Sequence, residues 1–301
     1  MLIEPITNIA YDCFTSNLIS ASRFLNRNYY LWFSNMIGYK NYSRQEKYEE
    51  LEKIHGLRCH EYKYSSMECG LLVKNNLMKG IPTIIETDIY QCPWNRYYQQ
   101  QHNQHFLLIT GYQDGQFTCL DTYVSADTYS FTWEEIALPF MVCTTFETKE
   151  PHENLKEIFT VIIKYLLRYE KGISSRTLNA QSLSKGIMDR YDLDTEYDIA
   201  MHEPIRQIKI HEDGRCCYLE MIQKIQQQFD IDLSVVQSYL TDTINILRKI
   251  KRIALVYILS TNREQKDINT YIQNIIDIDR SMIGQMKNII YKVIGDSYEI
   301  Y

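Results

Sequence analysis

The sequence predicts an α+β fold whose first half joins an N-terminal helix to an antiparallel sheet and whose second half is entirely helical. Three observations carry this. Short apolar runs at Ile81–Thr87, His105–Gly111 and Gln116–Leu120 have the length and composition of strands. From Leu155 onward, Ile158, Phe159, Ile162, Leu166 and Tyr169 recur at intervals of three and four, the period of an amphipathic helix. Gly (11) and Pro (6) are scarce in 301 residues, which favours long regular elements over a turn-rich sandwich.

In chain order, Phe14, Leu18, Ala21 and Leu25 lie at near-helical spacing after Cys13, with Thr15, Ser16 and Asn17 on the other side. A second helix is predicted over Ser43–Ile54, where Ser43 caps and Glu46 completes a capping box. A third spans Met67–Met78 and stops before Gly80-Ile81-Pro82. Asp114-Gly115 separates two strands and marks a hairpin, so these strands should pair antiparallel. Further helices are expected over Cys217–Phe229, Leu233–Leu259 and Ile268–Val293. The polar stretch Gly172–Gly214, which contains Pro204 and Asp213-Gly214, reads as a loop or short-helix insertion. The boundary falls near Thr144–His152, giving a catalytic domain over 1–148 and a helical domain or layer over 149–301.

A net charge of −6 argues against a general nucleic-acid binder, which needs an excess of Lys and Arg for phosphate contacts. The longest apolar run, Ile253–Leu259, is too short to cross a bilayer, and the first residues carry no basic leader, so a cytoplasmic protein without a membrane partner is expected. Eight cysteines stand without CxxC spacing, which disfavours a disulfide framework or zinc ribbon. Buried, reduced thiols are expected for all of them except Cys13.

Cys13 is that exception because a thiol at a helix N-terminus beside an imidazolium is favoured as thiolate, the reactive form. His105 opens one strand, and Asp121 ends the strand that the Asp114-Gly115 turn folds back beside it. A hairpin of that length sets the two side by side, with His105 as base and acid and Asp121 fixing its tautomer. Cysteine, histidine and acid in this order are laid out as in papain-like thiol enzymes, so Cys13, His105 and Asp121 form the expected catalytic set. Taken singly, each also reads as a buried thiol, a strand-end histidine or a turn-capping acid.

His102 and His105 enter a strand three residues apart and so face opposite sides, which argues against a shared metal. His102, Asp88, Tyr90 and Trp94 instead suit the entrance and wall of a substrate pocket, or simply the closure of a sheet edge. Arg248-Lys249-Ile250-Lys251-Arg252 is a basic cluster in an acidic chain, either a solvated helix face or a docking patch for an acidic partner.

The stretch Gly80-Ile81-Pro82-Thr83-Ile84-Ile85-Glu86-Thr87-Asp88-Ile89-Tyr90, with Pro93-Trp94, His102-Asn103-Gln104-His105, Gly111-Tyr112 and Leu120-Asp121, resembles the N-terminal family of butirosin biosynthesis protein H. Asp12-Cys13 before a helix fits as well, and the likeness covers about the first 140 residues. It implies a papain-like fold and transfer of an acyl or peptidyl chain from a carrier protein's phosphopantetheine thioester to a small-molecule amine, in nonribosomal antibiotic biosynthesis. No metal or organic cofactor is implied beyond the carrier's own arm. A related resemblance is to the papain-like amidotransferase of closthioamide assembly. Papain-type proteases place an oxyanion-binding glutamine some six residues before the cysteine, where this chain has Thr7; the adjacent Asn8 is the candidate instead. The same residues are compatible with a hydrolase, using water as acceptor, or with an inactive papain-like binding module.

Overall fold

A computed structural model describes residues 1–38, 44–171, 202–259 and 268–295. The chain divides into two units: residues Met1–Tyr29 with Arg44–Glu153, and Tyr30–Ser43 with Asn154–Tyr301.

The first unit is α+β. Helix α1 (Cys13–Phe24) starts where Asp12, in extended conformation, accepts a hydrogen bond from the Thr15 amide. Helix α2 (Arg44–Glu50) runs into a π turn (Leu51–His55) that closes on Gly56. Gly56 adopts φ 64°, and a Cβ there would collide with the Lys149 carbonyl, so glycine is required where the chain enters β1 (Leu57–Ser65). Helix α3 (Ser66–Met78) opens on a complete capping box between Ser65 and Glu68. Then follow β2 (Thr83–Asp88), β3 (Gln104–Gln113), β4 (Gln116–Leu120), β5 (Thr128–Phe131), the short α4 (Trp133–Ile136) and β6 (Phe140–Thr148). They form one sheet of six strands in the order β1-β6-β2-β3-β4-β5, with antiparallel neighbours throughout.

The predicted hairpin is present. Gln113 pairs with Gln116, and both Asp114 (φ 51°) and Gly115 (φ 85°) take the positive φ of a two-residue primed turn. Helix α3 lays Cys69 and Val73 into a core with Ile85, Leu107, Ile109 and Cys143. Helix α1 packs on β3, where the Phe14 ring meets Phe106 edge-on at 5.2 Å.

One expectation needs correction here, and two features go beyond what the sequence indicated. Cys69 and Cys143 are joined by a disulfide rather than reduced: α3 and β6 pack in one core, which brings together two cysteines 74 residues apart. The polar side of α1 does not face water, since Thr15, Ser16, Asn17, Ser20 and Ser22 are all buried with the apolar residues. Burial is tolerated because Ser20 and Ser22 donate to the carbonyls of Ser16 and Leu18. Strands β1, β5 and β6 extend the sheet beyond the three that the apolar runs predicted.

The second unit holds α5 (Leu155–Glu170), α6 (Glu203–Phe229), α7 (Ser234–Leu259) and α8 (Ile268–Ile294), with short helical turns at Tyr30–Phe33 and Met36–Gly38. Helix α6 begins at Glu203 with Pro204 in its first turn, so Pro204 and Asp213-Gly214, expected in a loop, are helical. Gly214 sits inside the helix because a Cβ there would collide with the Met36 carbonyl. The rest of that predicted loop, 172–201, lies outside the described residues, as does Ser43, the expected cap of α2. No described helix is long and apolar enough to cross a membrane.

Arg215 and Asp279 form a fully buried ion pair in this unit, with the Tyr169 hydroxyl also donating to Asp279 at 2.6 Å. A charge stripped of its buried counterion is costly to keep. Asp279→Ala is therefore expected to destabilise the protein by about 3–5 kcal/mol in urea unfolding, whereas loss of a surface pair would register below about 1 kcal/mol.

Candidate active site

Two strand ends and one helix start converge on His105. Its Nε2 lies 2.8 Å from Asp121 Oδ2, and both side chains are almost wholly buried. Cys13 lies near enough to act on the imidazole, favouring its protonated form through hydrogen bonding and charge. Cys13 is the first residue of α1 and is half-buried. The structure thus brings the three residues of the expected set together.

The electrostatics follow from this arrangement. Burial pushes the His105 pKa down, but the hydrogen bond to Asp121, then that to Cys13, and the charges of both outweigh it and raise the value to about 10. An imidazolium is thereby held at neutral pH. Burial raises the pKa of the Cys59, Cys92, Cys119 and Cys216 thiols, keeping them protonated.

Asp121 is held from a direction the sequence did not disclose. Trp94 donates its indole N–H to the same Oδ2 at 2.9 Å, and its ring stacks on Tyr129 at 4.8 Å. Trp94, expected in a substrate wall, thus has its polar atom committed to the acid. Trp94→Phe keeps the stacked ring and removes one charge-assisted hydrogen bond. It is expected to lower kcat/KM about tenfold and the unfolding midpoint by several degrees, a hydrogen bond to a charged group being worth roughly 1.5–3 kcal/mol. An unchanged kcat/KM would show that the indole does not hold the acid in place.

The remaining candidates lie around this centre. Asp88 Oδ1 accepts from the amides of Tyr90 (2.9 Å) and Asn103 (3.0 Å), and Oδ2 meets His102 Nδ1 at 2.8 Å. Burial works to raise the Asp88 pKa, but these bonds hold it below the usual carboxylate range. Tyr90 stacks on the exposed His102 at 4.2 Å, so Asp88, Tyr90 and His102 form one braced cluster before the start of β3. The Asn8 side-chain oxygen accepts from the Ala10 amide, which uses its acceptor for a turn before α1. Tyr123 packs edge-on against His105 at 6.2 Å and is 61% exposed, an aromatic neighbour that sequence reasoning missed. Among the described residues no group of His, Cys, Asp and Glu could hold a metal. In the helical unit, Arg248 and Lys251 of the basic cluster both bond Glu212, whose single charge offsets one of the cluster's four.

Fold and site together define an α+β protein with a Cys-His-Asp constellation at the junction of a helix start and a β-hairpin. The family model for butirosin biosynthesis protein H, N-terminal, matches residues 27–122, a span that includes His105 and Asp121 and begins after Cys13. This agrees with the family resemblance read from the motifs. No curated protein matches the chain.

Proposed function

We propose that the protein is a papain-like cysteine acyltransferase that moves an acyl or peptidyl chain from a carrier-protein thioester to an amine. The observation that carries this reading is His105 hydrogen-bonded to a buried Asp121, with Cys13 near enough to act on the same imidazole. That is the equipment for nucleophilic catalysis by a thiol.

In the first half-reaction the Cys13 sulfur attacks the thioester carbonyl. The bond from that carbon to the carrier sulfur breaks, and the carrier thiol leaves with the His105 proton. The Cys13 backbone N–H and the Asn8 side-chain amide serve as donors to the tetrahedral oxyanion. Once Cys13 is acylated, its share in raising the His105 pKa is lost, which suits the neutral imidazole to its next task. In the second half-reaction an amine attacks the acyl-enzyme, His105 accepts its proton, and Cys13 departs as thiolate, leaving an amide. The Asp88-Tyr90-His102 cluster supplies polar and aromatic surface for the incoming amine. No step calls on a metal or organic cofactor, because the donor thioester is already activated.

Incubation with a short acyl thioester of N-acetylcysteamine, with and without a diamine, tests this. Amide that forms only when the diamine is present is the expected result. Equal amounts of free acid in both tubes would make the protein a hydrolase, and no turnover with slow, uniform thiol labelling would make it a binding module.

A further inference from the structure

We propose that Asn17 is the positioning residue that sets the spacing between the nucleophile and its base. The inference rests on the acyltransferase reading above and deepens it.

Asn17 lies one helical turn after Cys13 on α1 and is fully buried. Its Nδ2 donates to the Phe106 carbonyl at 2.8 Å, and its Oδ1 accepts from the Thr122 hydroxyl at 3.2 Å. Phe106 directly follows His105, and Thr122 directly follows Asp121. A single carboxamide on the nucleophile's helix therefore grips the residues next to both of its partners.

The sheet register explains why a side chain is needed there. Leu108 pairs with Leu120, and β4 ends at Leu120. Continued by one more step of the same parity, the register would set Phe106 opposite Thr122. Pairing stops at Leu120, and beyond it the Asn17 amide links the Phe106 carbonyl to the Thr122 hydroxyl. Asparagine suits the position because it donates and accepts through one short planar group, whereas aspartate only accepts. Phe14 packing on Phe106, with the Arg44 guanidinium over both rings at 4.2 and 4.7 Å, fixes the same contact on its apolar side. Removing the amide frees α1 to shift relative to β3, and displacements of about 1 Å at a reacting centre cost on the order of 100-fold.

The test compares wild type, Asn17→Ala and Thr122→Val, the last losing one hydroxyl with little change in volume. Two quantities are read: the rate at which iodoacetamide alkylates Cys13 at neutral pH, by peptide mass, and the pH at which His105 releases its proton, by imidazole 15N shift. Both variants are expected to alkylate roughly tenfold or more slowly, and their His105 midpoint should fall from about 10 toward the ordinary 6.5. A purely structural residue would lower the unfolding midpoint and leave the His105 titration where it is. Folded variants with wild-type alkylation and titration overturn the role of Asn17 while leaving the enzyme reading intact. A wild-type Cys13 that labels at the pace of an ordinary thiol overturns the enzyme reading, and this inference with it.

Discussion

Cys13→Ser is expected to lower kcat/KM for acyl transfer by roughly 10⁴- to 10⁶-fold, the range lost when the nucleophile of such a set is removed. Serine fits the site, because residue 13 is half-buried at the first turn of α1 and the cap there is supplied by Asp12. The unfolding midpoint should therefore hold while turnover disappears. The loss is chemical. A hydroxyl beside the same imidazole keeps its proton far more firmly than a thiol, so His105 faces a neutral alcohol, a much weaker nucleophile. Steady-state amide formation from the N-acetylcysteamine thioester and a diamine measures it. Retention of more than about a tenth of the wild-type rate would place the chemistry elsewhere.

Asp121→Asn should have the second largest effect, and its sign follows from what raises the His105 pKa. Burial lowers that pKa, and the Asp121 hydrogen bond is the foremost influence opposing it. With the carboxylate neutralised, burial prevails and the imidazole loses its proton at neutral pH. The new amide also carries a donor that must lie where Asp121 Oδ1 now sits, a buried oxygen with no hydrogen-bond partner among the described residues. Activity at neutral pH is expected to fall by about 10²- to 10⁴-fold, the usual weight of a general acid–base pair.

Stability provides an independent check on the same residue. In the wild type the folded pKa of about 10 exceeds the ordinary value of 6.5. The bound proton therefore stabilises the fold fully below pH 6.5, and this stabilisation is lost as pH rises toward about 10. Urea unfolding should show that decline in the wild type and a much shallower one in Asp121→Asn. Equal slopes would mean that the carboxylate does not hold the proton.

The hairpin that carries His105 and Asp121 was legible because local chemistry fixes it: apolar runs flank Asp114-Gly115, and both turn residues tolerate positive φ. Cys13 was legible for a similar reason, since Asp12 caps the helix that it begins. Strand β1 escaped notice because its chain is polar, reading Arg58-Cys59-His60-Glu61-Tyr62-Lys63, and its place comes from pairing with β6, far along the sequence. The Cys69–Cys143 bridge likewise depends on which helix packs over which strand. Asn17 was the instructive miss. Spacing alone only sets polar residues on one side of a helix, and it takes the burial of α1 to reveal that this amide spans two strands. Trp94 was singled out by its residue type, but its bond to Asp121 depends on how the β2–β3 connection folds back over β4.

The central claim is that the sulfur of residue 13 takes the acyl group. Brief exposure to an acyl thioester without amine, followed by acid quench and peptide mass mapping, tests it most directly. The account predicts one acyl mass increment on the peptide bearing Cys13, removed when a diamine is added before the quench. An unmodified Cys13 peptide, or an increment spread over several cysteines, would contradict it.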